Sequence, residues 1–249
     1  MKKVHLIATG GSVMHNIALA LHGMGYQVSG SDDQIYEPAR SRLSEAGILP
    51  QKEGWYPDRI SRDLDAVILG MHAKSDNPEL GRARELGVPI YSFPEFVGLQ
   101  YQHKRQIVVI GSHGKTTTTS MLMHVFKSLG LSFDYLVGAQ LEGFQNMVSF
   151  SDAPLAIIEG DEYLSSCLDA QPKFMHYHPF VTIVTGVAWD HYNVFPTYES
   201  YLKAFTDRIE SLEIGHHIVY YQEDAALCEI IDHHGSHLVQ HPYDTALHE

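Results

Sequence analysis

The chain has 249 residues, 44% of them hydrophobic and 19% charged, with a formal net charge of −13. That length suffices for two domains of ordinary size, and an acidic balance without any clustered Lys/Arg run argues against a nucleic-acid partner. No apolar run approaches the ~20 residues of a membrane span, so no membrane insertion is expected.

The opening residues M-K-K-V-H-L-I-A-T-G carry a basic start but no long apolar stretch and no small-residue cleavage site. They read as a first β-strand, residues 4–8, and not as a signal peptide. An amphipathic helix is predicted at 14–22, a strand at 27–31, a helix at 40–46, an apolar strand at 64–69, a helix at 78–86 closed by Gly87, and a strand at 88–91. Strand–helix alternation at this spacing predicts an α/β fold, a Rossmann-like parallel sheet with helices on its faces. The turn T-G-G-S-V-M-H places Gly10, Gly11 and Ser12 between the first strand and its helix. It is not G-x-G-x-x-G, since Val13 stands where the last Gly belongs, so alone it fits a nucleotide-diphosphate site or a plain tight turn equally. Asp32, at the end of the second strand, favours the nucleotide: an acid about twenty residues on is where a ribose hydroxyl is bound.

Residues 91–95 and the polar run 100–105 separate this unit from a second one, with the boundary placed near 104. The next stretch, I-V-V-I-G-S-H-G-K-T-T-T-T at 107–119, is a short β-branched strand, a glycine turn, then Lys115 and a Thr run opening a helix predicted at 120–129. Glycines let backbone N–H groups approach an anion, and a helix N-terminus adds partial positive charge. The spacing departs from G-x-x-x-x-G-K-[ST], which wants a Gly where Val109 stands; the shorter form G-S-H-G-K-T remains. Lys115 is expected on the β/γ-phosphates of a nucleoside triphosphate and the Thr116 hydroxyl on Mg²⁺. Strands at 135–137, 155–158 and 180–184, a helix at 198–212 and a strand at 217–221 continue a second, P-loop ATPase-like α/β unit.

Two further strand ends carry chemistry. The strand at 155–158 runs into Glu159, Gly160, Asp161 and Glu162, and carboxylates packed together cost stability unless a cation neutralises them. The strand at 180–184 runs into T-G-V-A-W-D-H, placing Asp190 and His191 just beyond it. Ligands of open α/β sheets lie outside the carboxyl ends of their strands, so Lys115/Thr116, Glu159 and His191 are expected to converge. Of 17 histidines, a group gathers in the last third without metal-ligand spacing and reads as solvated or hydrogen-bonded. Cys167 and Cys228 are far apart, which argues against a disulfide framework and for a reducing compartment, by default the cytoplasm.

Taken together, G-S-H-G-K-T-T-T at 111–118, E-G-D-E-Y at 159–163, D-H at 190–191, the early H-L-I-A-T-G-G-S-x-M, G-Y-Q-V-S-G-S-D at 25–32 and A-K-S-D-N-P-E-L at 73–80 resemble the Mur ligases, ATP-dependent amide-forming enzymes of peptidoglycan synthesis. The first-unit motifs resemble the branches that join UDP-N-acetylmuramate to L-alanine or, in recycling, to an L-alanyl peptide. E-G-D-E-Y and K-F-M-H-Y-H-P at 173–179 lean toward the recycling branch. The resemblance implies that Gly10, Gly11, Ser12, Ser31 and Asp32 hold the UDP part of the sugar nucleotide, with His72 and Asn77 near it. It implies that Gly111, Ser112, His113, Gly114, Lys115, Thr116 and Thr117 cradle ATP, that Thr116 and Glu159 bind one Mg²⁺, and that Glu159 and His191 bind a second. The reaction it implies passes through an acyl phosphate of the substrate carboxylate.

Two departures are visible. Gly186 and Ala188 stand where these ligases usually carry an Asn and a Glu, and Lys203 does not fall at the offset of the family's carbamylated lysine. The family's central domain also runs on beyond the point that corresponds to Glu249 and a third domain normally follows, so this chain is expected to be a truncated part, 1–104 for the UDP-sugar and 105–249 for ATP, that binds ligands without completing ligation alone. The alternative is a non-catalytic UDP-sugar or nucleotide-binding module.

Overall fold

The computed structural model describes residues 2–245. The chain divides into two compact units: residues to 100 with 138–152 and 164–170 form the first, and 101–137, 153–163 and the residues from 171 onward form the second.

The first unit begins with β1 (Lys3–Ile7), α1 (Ser12–Gly23), β2 (Gln27–Ser31), α2 (Ala39–Glu45), β3 (Ala66–Leu69), α3 (Pro78–Leu86) and β4 (Ile90–Ser92), after which α4 (Phe93–Tyr101) leads out. Its four strands are ordered β2-β1-β3-β4. All are parallel, with Leu6 opposite Gly30 on one side and Ile68 on the other. Helices on both faces explain why β1 and β3 read as continuous apolar runs: Leu6, Ile7, Val67, Ile68 and Leu69 are fully buried. Asn77 caps α3, its side chain accepting from Glu79 N and Leu80 N, and Gly87 closes the helix at φ 69°.

The second unit starts with β5 (Arg105–Ile110), α5 (Lys115–Ser128) and β6 (Asp134–Leu136). The strands β7 (Val148–Ser149) and β9 (Leu164–Ser166) and the start of β10 (Asp169–Pro172) fall in first-unit segments, while β8 (Leu155–Glu159), β11 (Pro179–Val184), α6 (Tyr198–Glu210), β12 (His217–Tyr221), α7 (Ala225–His234) and β13 (Val239–Tyr243) belong to the second. Across this unit the sheet runs β13-β12-β11-β5-β8-β6, every pair parallel. With β5 central, β8 and β11 flank it, so the carboxyl ends of three neighbouring strands open at one edge.

Four features depart from the sequence reading. The separator at 91–105 contains α4, which the pair Ser92 and Glu95 cap reciprocally: Glu95 N donates to Ser92 Oγ at 3.4 Å and Ser92 N to Glu95 Oε2 at 3.3 Å. The phosphate-loop helix begins at Lys115, directly on the glycine turn, not five residues later. Past residue 221 the chain forms α7, capped by Asp224, and β13, where no element was expected. Residues 138–152, expected in the second unit, belong to the first because Met147 N donates to Asn16 Oδ1 at 2.9 Å and Arg42 donates to Gln145 O at 2.9 Å. Local periodicity carries no trace of such a return.

Candidate functional site

In the second unit the turn between β5 and α5 is shaped by two left-handed glycines. Gly111 has φ 131°, and a Cβ there would sit 2.3 Å from Thr185 Oγ1; Gly114 has φ 80°. Only Gly adopts such backbone at low cost. Residues 185–188 brace the turn: Ser112 N donates to Gly186 O at 2.9 Å, Thr185 Oγ1 to His113 O at 2.6 Å, and Ala188 N to Ser112 Oγ at 3.1 Å. Gly186 and Ala188 therefore serve here through main-chain atoms. His113 is exposed, its Nε2 4.0 Å from Asp190 Oδ2, and Thr117 is exposed on the first turn of α5.

Lys115 and Thr116 open α5, where backbone N–H groups and the helix dipole favour an anion. Lys115 Nζ donates to Gly111 O at 2.6 Å and Ser112 O at 3.1 Å, and lies 2.7 Å from Glu162 Oε2. Thr116 Oγ1 donates to Glu159 Oε1 at 2.8 Å, so the strand-end acid at β8 meets the hydroxyl expected to share a cation with it. Glu162, fully buried, also lies 3.3 Å from His191 Nε2 through Oε1. His191 holds φ 54°, uncommon for a residue with a Cβ, and its ring meets the edge of Tyr163 at 5.2 Å between centroids.

Glu162, not named with His191 in the sequence reading, stands beside it in this geometry. Asp161, Glu162 and His191 each present a donor atom, and these atoms all lie within 4.8 Å of one another. Burial pushes the Glu162 carboxyl above the usual carboxylate range, outweighing the pull of Lys115. Burial also acts upward on Asp161, but the charge and hydrogen bond of Lys173 bring that carboxyl below its ordinary value. The sequence reading takes Asp161 and Glu162 only as members of an acid cluster calling for a cation, and assigns the metal to Glu159 alone among the three. What no motif reveals is which of three adjacent acids turns back toward the lysine.

In the first unit, a cavity of about 480 Å³ opens at the carboxyl ends of β1 and β2, and Gly10, Gly11, Asp32, His72 and Asn77 line it together with Tyr36 and Trp55. Ser12 lines a neighbouring cavity, its Oγ 3.4 Å from Met147 Sδ. Ser31 is fully buried and its Oγ accepts from Arg59 at 2.9 Å. Asp32 Oδ2 accepts from Gly10 N at 2.7 Å. Burial raises this carboxyl to about 6, the Gly10 N–H pulling against it and Asp33 adding to it. Behind the cavity wall, buried Glu79 accepts from Tyr56 N at 2.7 Å and lies 3.2 Å from His5 Nε2, fixing the backbone next to Trp55.

Two parallel α/β units, one with an acid-ended glycine turn and one with a phosphate loop facing carboxylates, define a nucleotide-binding protein of the P-loop class. Residues 3–105 match the Mur ligase family, catalytic domain, and residues 109–241 the Mur ligase middle domain; the chain belongs to the Mur ligase family. Among similar proteins, the UDP-N-acetylmuramate–L-alanyl-gamma-D-glutamyl-meso-2,6-diaminoheptandioate ligase of Haemophilus influenzae is 32% identical over 215 residues, which are 85% of this chain and 47% of the relative. The UDP-N-acetylmuramate–L-alanine ligase of Lactiplantibacillus plantarum is 38% identical over 189 residues, 75% of this chain and 39% of the relative. The crystal structure of the UDP-N-acetylmuramate:L-alanyl-gamma-D-glutamyl-meso-diaminopimelate ligase from Neisseria meningitides matches with TM-score 0.86 at 27% identity, covering 96% of this chain and 78% of that one. That of the UDP-N-acetylmuramate–alanine ligase from Thermotoga maritima gives 0.72 at 26%, covering 98% and 53%. The chain spans about half the length or less of these curated relatives. Among the described residues no helix is long and apolar enough to cross a membrane.

Proposed function

We propose that this chain is the nucleotide-handling part of an ATP-dependent amide-forming ligase of peptidoglycan synthesis or recycling, which joins UDP-N-acetylmuramate to an L-alanyl peptide or L-alanine. The observation that carries the reading is the meeting, at the N-terminus of α5, of Lys115 and Thr116 with Glu159, Glu162 and His191. Of the two acceptors, the recycling peptide is favoured by the motifs at 159–163 and 173–179 and by the TM-score of 0.86 to the Neisseria structure.

A carboxylate is a poor acylating agent, and transfer of a phosphoryl group to it demands that the negative charge of both partners be neutralised. Lys115 would hold the terminal phosphates, and the main-chain N–H groups of the turn the remaining oxygens. The hydroxyl and carboxylate oxygens of Thr116 and Glu159, 2.8 Å apart, form a hard donor set that suits Mg²⁺; Glu162 and His191 form a second, mixed set. Bound Mg²⁺ would supply charge neutralisation on the phosphate oxygens. In the first unit, Asp32 would accept from a ribose hydroxyl, with Gly10 and Gly11 leaving room for the backbone to approach the ligand.

Calorimetric titration of the chain tests this. UDP-N-acetylmuramate and ATP with Mg²⁺ are expected to bind independently, and Lys115→Met to remove only ATP binding. A chain that binds neither, or loses both with that one substitution, overturns the proposal.

A further inference from the structure

The motif at 173–179 opens on Lys173, a residue that the ligation chemistry above does not use. Lys173 is 8% exposed. Its Nζ donates to Asp161 Oδ2 and lies 5.7 Å from the centre of the Tyr163 ring. Main-chain bonds fasten the same two segments together: Lys173 N donates to Tyr163 O at 3.0 Å, and Phe174 N to Asp161 O at 3.1 Å. Asp161 Oδ1 in turn accepts from Tyr163 N at 3.1 Å. Both oxygens of Asp161 are therefore engaged, and the turn 161–163 is held from two sides. That turn carries Tyr163, whose hydroxyl accepts from Asn193 at 2.6 Å and whose ring packs on His191.

Position and pairing disagree at Asp161. Donor atoms of Asp161, Glu162 and His191 lie within 4.8 Å of one another, near enough to share one cation. Asp161 nonetheless pairs with Lys173, while Glu162 pairs with Lys115 and His191. A nucleotide acts differently on the two lysines. Lys115 opens α5 at the glycine turn, where phosphate oxygens draw it onto themselves. Lys173 opens a short 3-10 turn, Lys173–His176, whose main chain is tied to the segment 161–163. Breaking a buried ion pair on one side leaves a costly lone charge, so Lys173 stays on Asp161 when Lys115 moves.

Resting on the reading of this unit as a nucleotide and Mg²⁺ site, we infer that Lys173 is a positioning residue that withholds Asp161 from the cation. It occupies the carboxylate that would otherwise complete a three-ligand set with Glu162 and His191. Such a set, with two carboxylates, would hold a divalent cation before any nucleotide arrives. With Asp161 withheld, Glu162 and His191 need the phosphate oxygens as further donors, and the cation enters with the nucleotide. Asp161 is a latent ligand, and Lys173 is what keeps it latent.

The test is Mn²⁺ binding, followed by electron paramagnetic resonance with and without ADP. It compares the 249-residue chain with its Lys173→Met, Lys173→Arg and Lys173→Met/Asp161→Asn variants. Lys173→Met should tighten nucleotide-free Mn²⁺ by about tenfold or more, the scale of one added charged ligand, and shrink the enhancement by ADP. Its Mn²⁺ should carry about one fewer bound water, counted from the deuterium signal in D2O, because Asp161 has taken that position. Tighter binding with an unchanged water count would be an effect of charge alone, and overturns the inference. Lys173→Arg keeps the ion pair and should match the unaltered chain; if it tightens as much as Lys173→Met, the inference fails. The double variant lacks the latent ligand and should return to the unaltered affinity and water count. Lys173→Gln carries the same comparison if the melting temperature of Lys173→Met falls. An unaltered chain that binds Mn²⁺ with ADP, beside a Lys173→Met chain that binds it no tighter, overturns the inference alone. An unaltered chain that binds no Mn²⁺ even with ADP overturns the metal reading as well.

Discussion

Replacing Asp32 by Asn turns a titrating cavity wall into a fixed neutral one, and the structure dictates both the sign and the size of the effect. Asp32 is 8% exposed, and burial raises its carboxyl from 3.8 to about 6. A rise of about two units corresponds to about 3 kcal/mol; because the group borders an open cavity, solvent screening reduces this to roughly 1–2 kcal/mol. The folded chain holds this proton more tightly than the unfolded one. The contribution to stability is therefore complete below 3.8 and is lost as pH rises from there through about 6. Asp32→Asn removes that dependence and adds a constant cost of about 1 kcal/mol, since one of the two oxygens accepting from Gly10 N and Asp33 N becomes a donor. Urea unfolding of both proteins between about pH 4.5 and 7.5 should show the wild-type advantage shrinking by roughly 1–2 kcal/mol as pH rises. An advantage that is constant, or that grows with pH, refutes the assignment of a raised carboxyl. UDP affinity supplies an independent check: if ionised Asp32 accepts a ribose hydroxyl, wild-type binding tightens as pH passes about 6 while the variant's stays flat.

Lys115→Met should lower ATP affinity by about 100-fold, the scale of charged hydrogen bonds to phosphate, with melting temperature in UDP unchanged; equal ATP affinity by calorimetry would remove Lys115 from the site. Gly111→Ala places a Cβ 2.3 Å from Thr185 Oγ1 at φ 131°. A cost of about 2 kcal/mol or more is expected, read as a fall of at least about 4 °C in melting temperature, and an unshifted melt would show that the turn relaxes freely. Glu162→Gln removes the carboxylate that competes with phosphate for Lys115. Metal-free nucleotide binding should tighten by about threefold while Mn²⁺ binding, followed by electron paramagnetic resonance, weakens. Opposite changes would place the metal on Glu159 alone.

Both halves of the fold were legible where side-chain periodicity and glycine placement coincide, as at β1 with Gly10 and Gly11, or β5 with Gly111 and Gly114. Elements whose signals are local but brief escaped: the reciprocal Ser92–Glu95 cap identifies α4, and Asp224 ahead of Leu227, Ile230 and Ile231 identifies α7. The placement of residues 138–152 against α1 and α2 was not legible at all, because it rests on hydrogen bonds about a hundred residues apart, such as Arg42 to Gln145 O. The candidate site divides the same way. Lys115, Thr116 and Glu159 follow from strand ends and motif. Glu162 matters through the direction in which a loop turns, which composition and spacing do not encode.

The three acids at and after the end of β8 illustrate why that direction decides chemistry. Glu159 accepts from Thr116, Asp161 from Lys173, and Glu162 is paired with Lys115 and His191. Lys173 thus serves Asp161 and Lys115 serves Glu162, and burial raises the Glu162 carboxyl above its ordinary value. A cation entering alone would compete with Lys115 and Lys173 for these same oxygens. A polyphosphate reverses the account, because it draws Lys115 onto its own oxygens and leaves Glu162 beside His191 without its lysine, while Asp161 stays on Lys173. On this reasoning metal affinity at Glu162 and His191 is created by nucleotide binding, and the two ligands must show positive coupling of equal size in both directions. Titrating Mn²⁺ with and without ADP measures that coupling, and an Mn²⁺ affinity independent of nucleotide would show the cluster to be a preformed metal site instead.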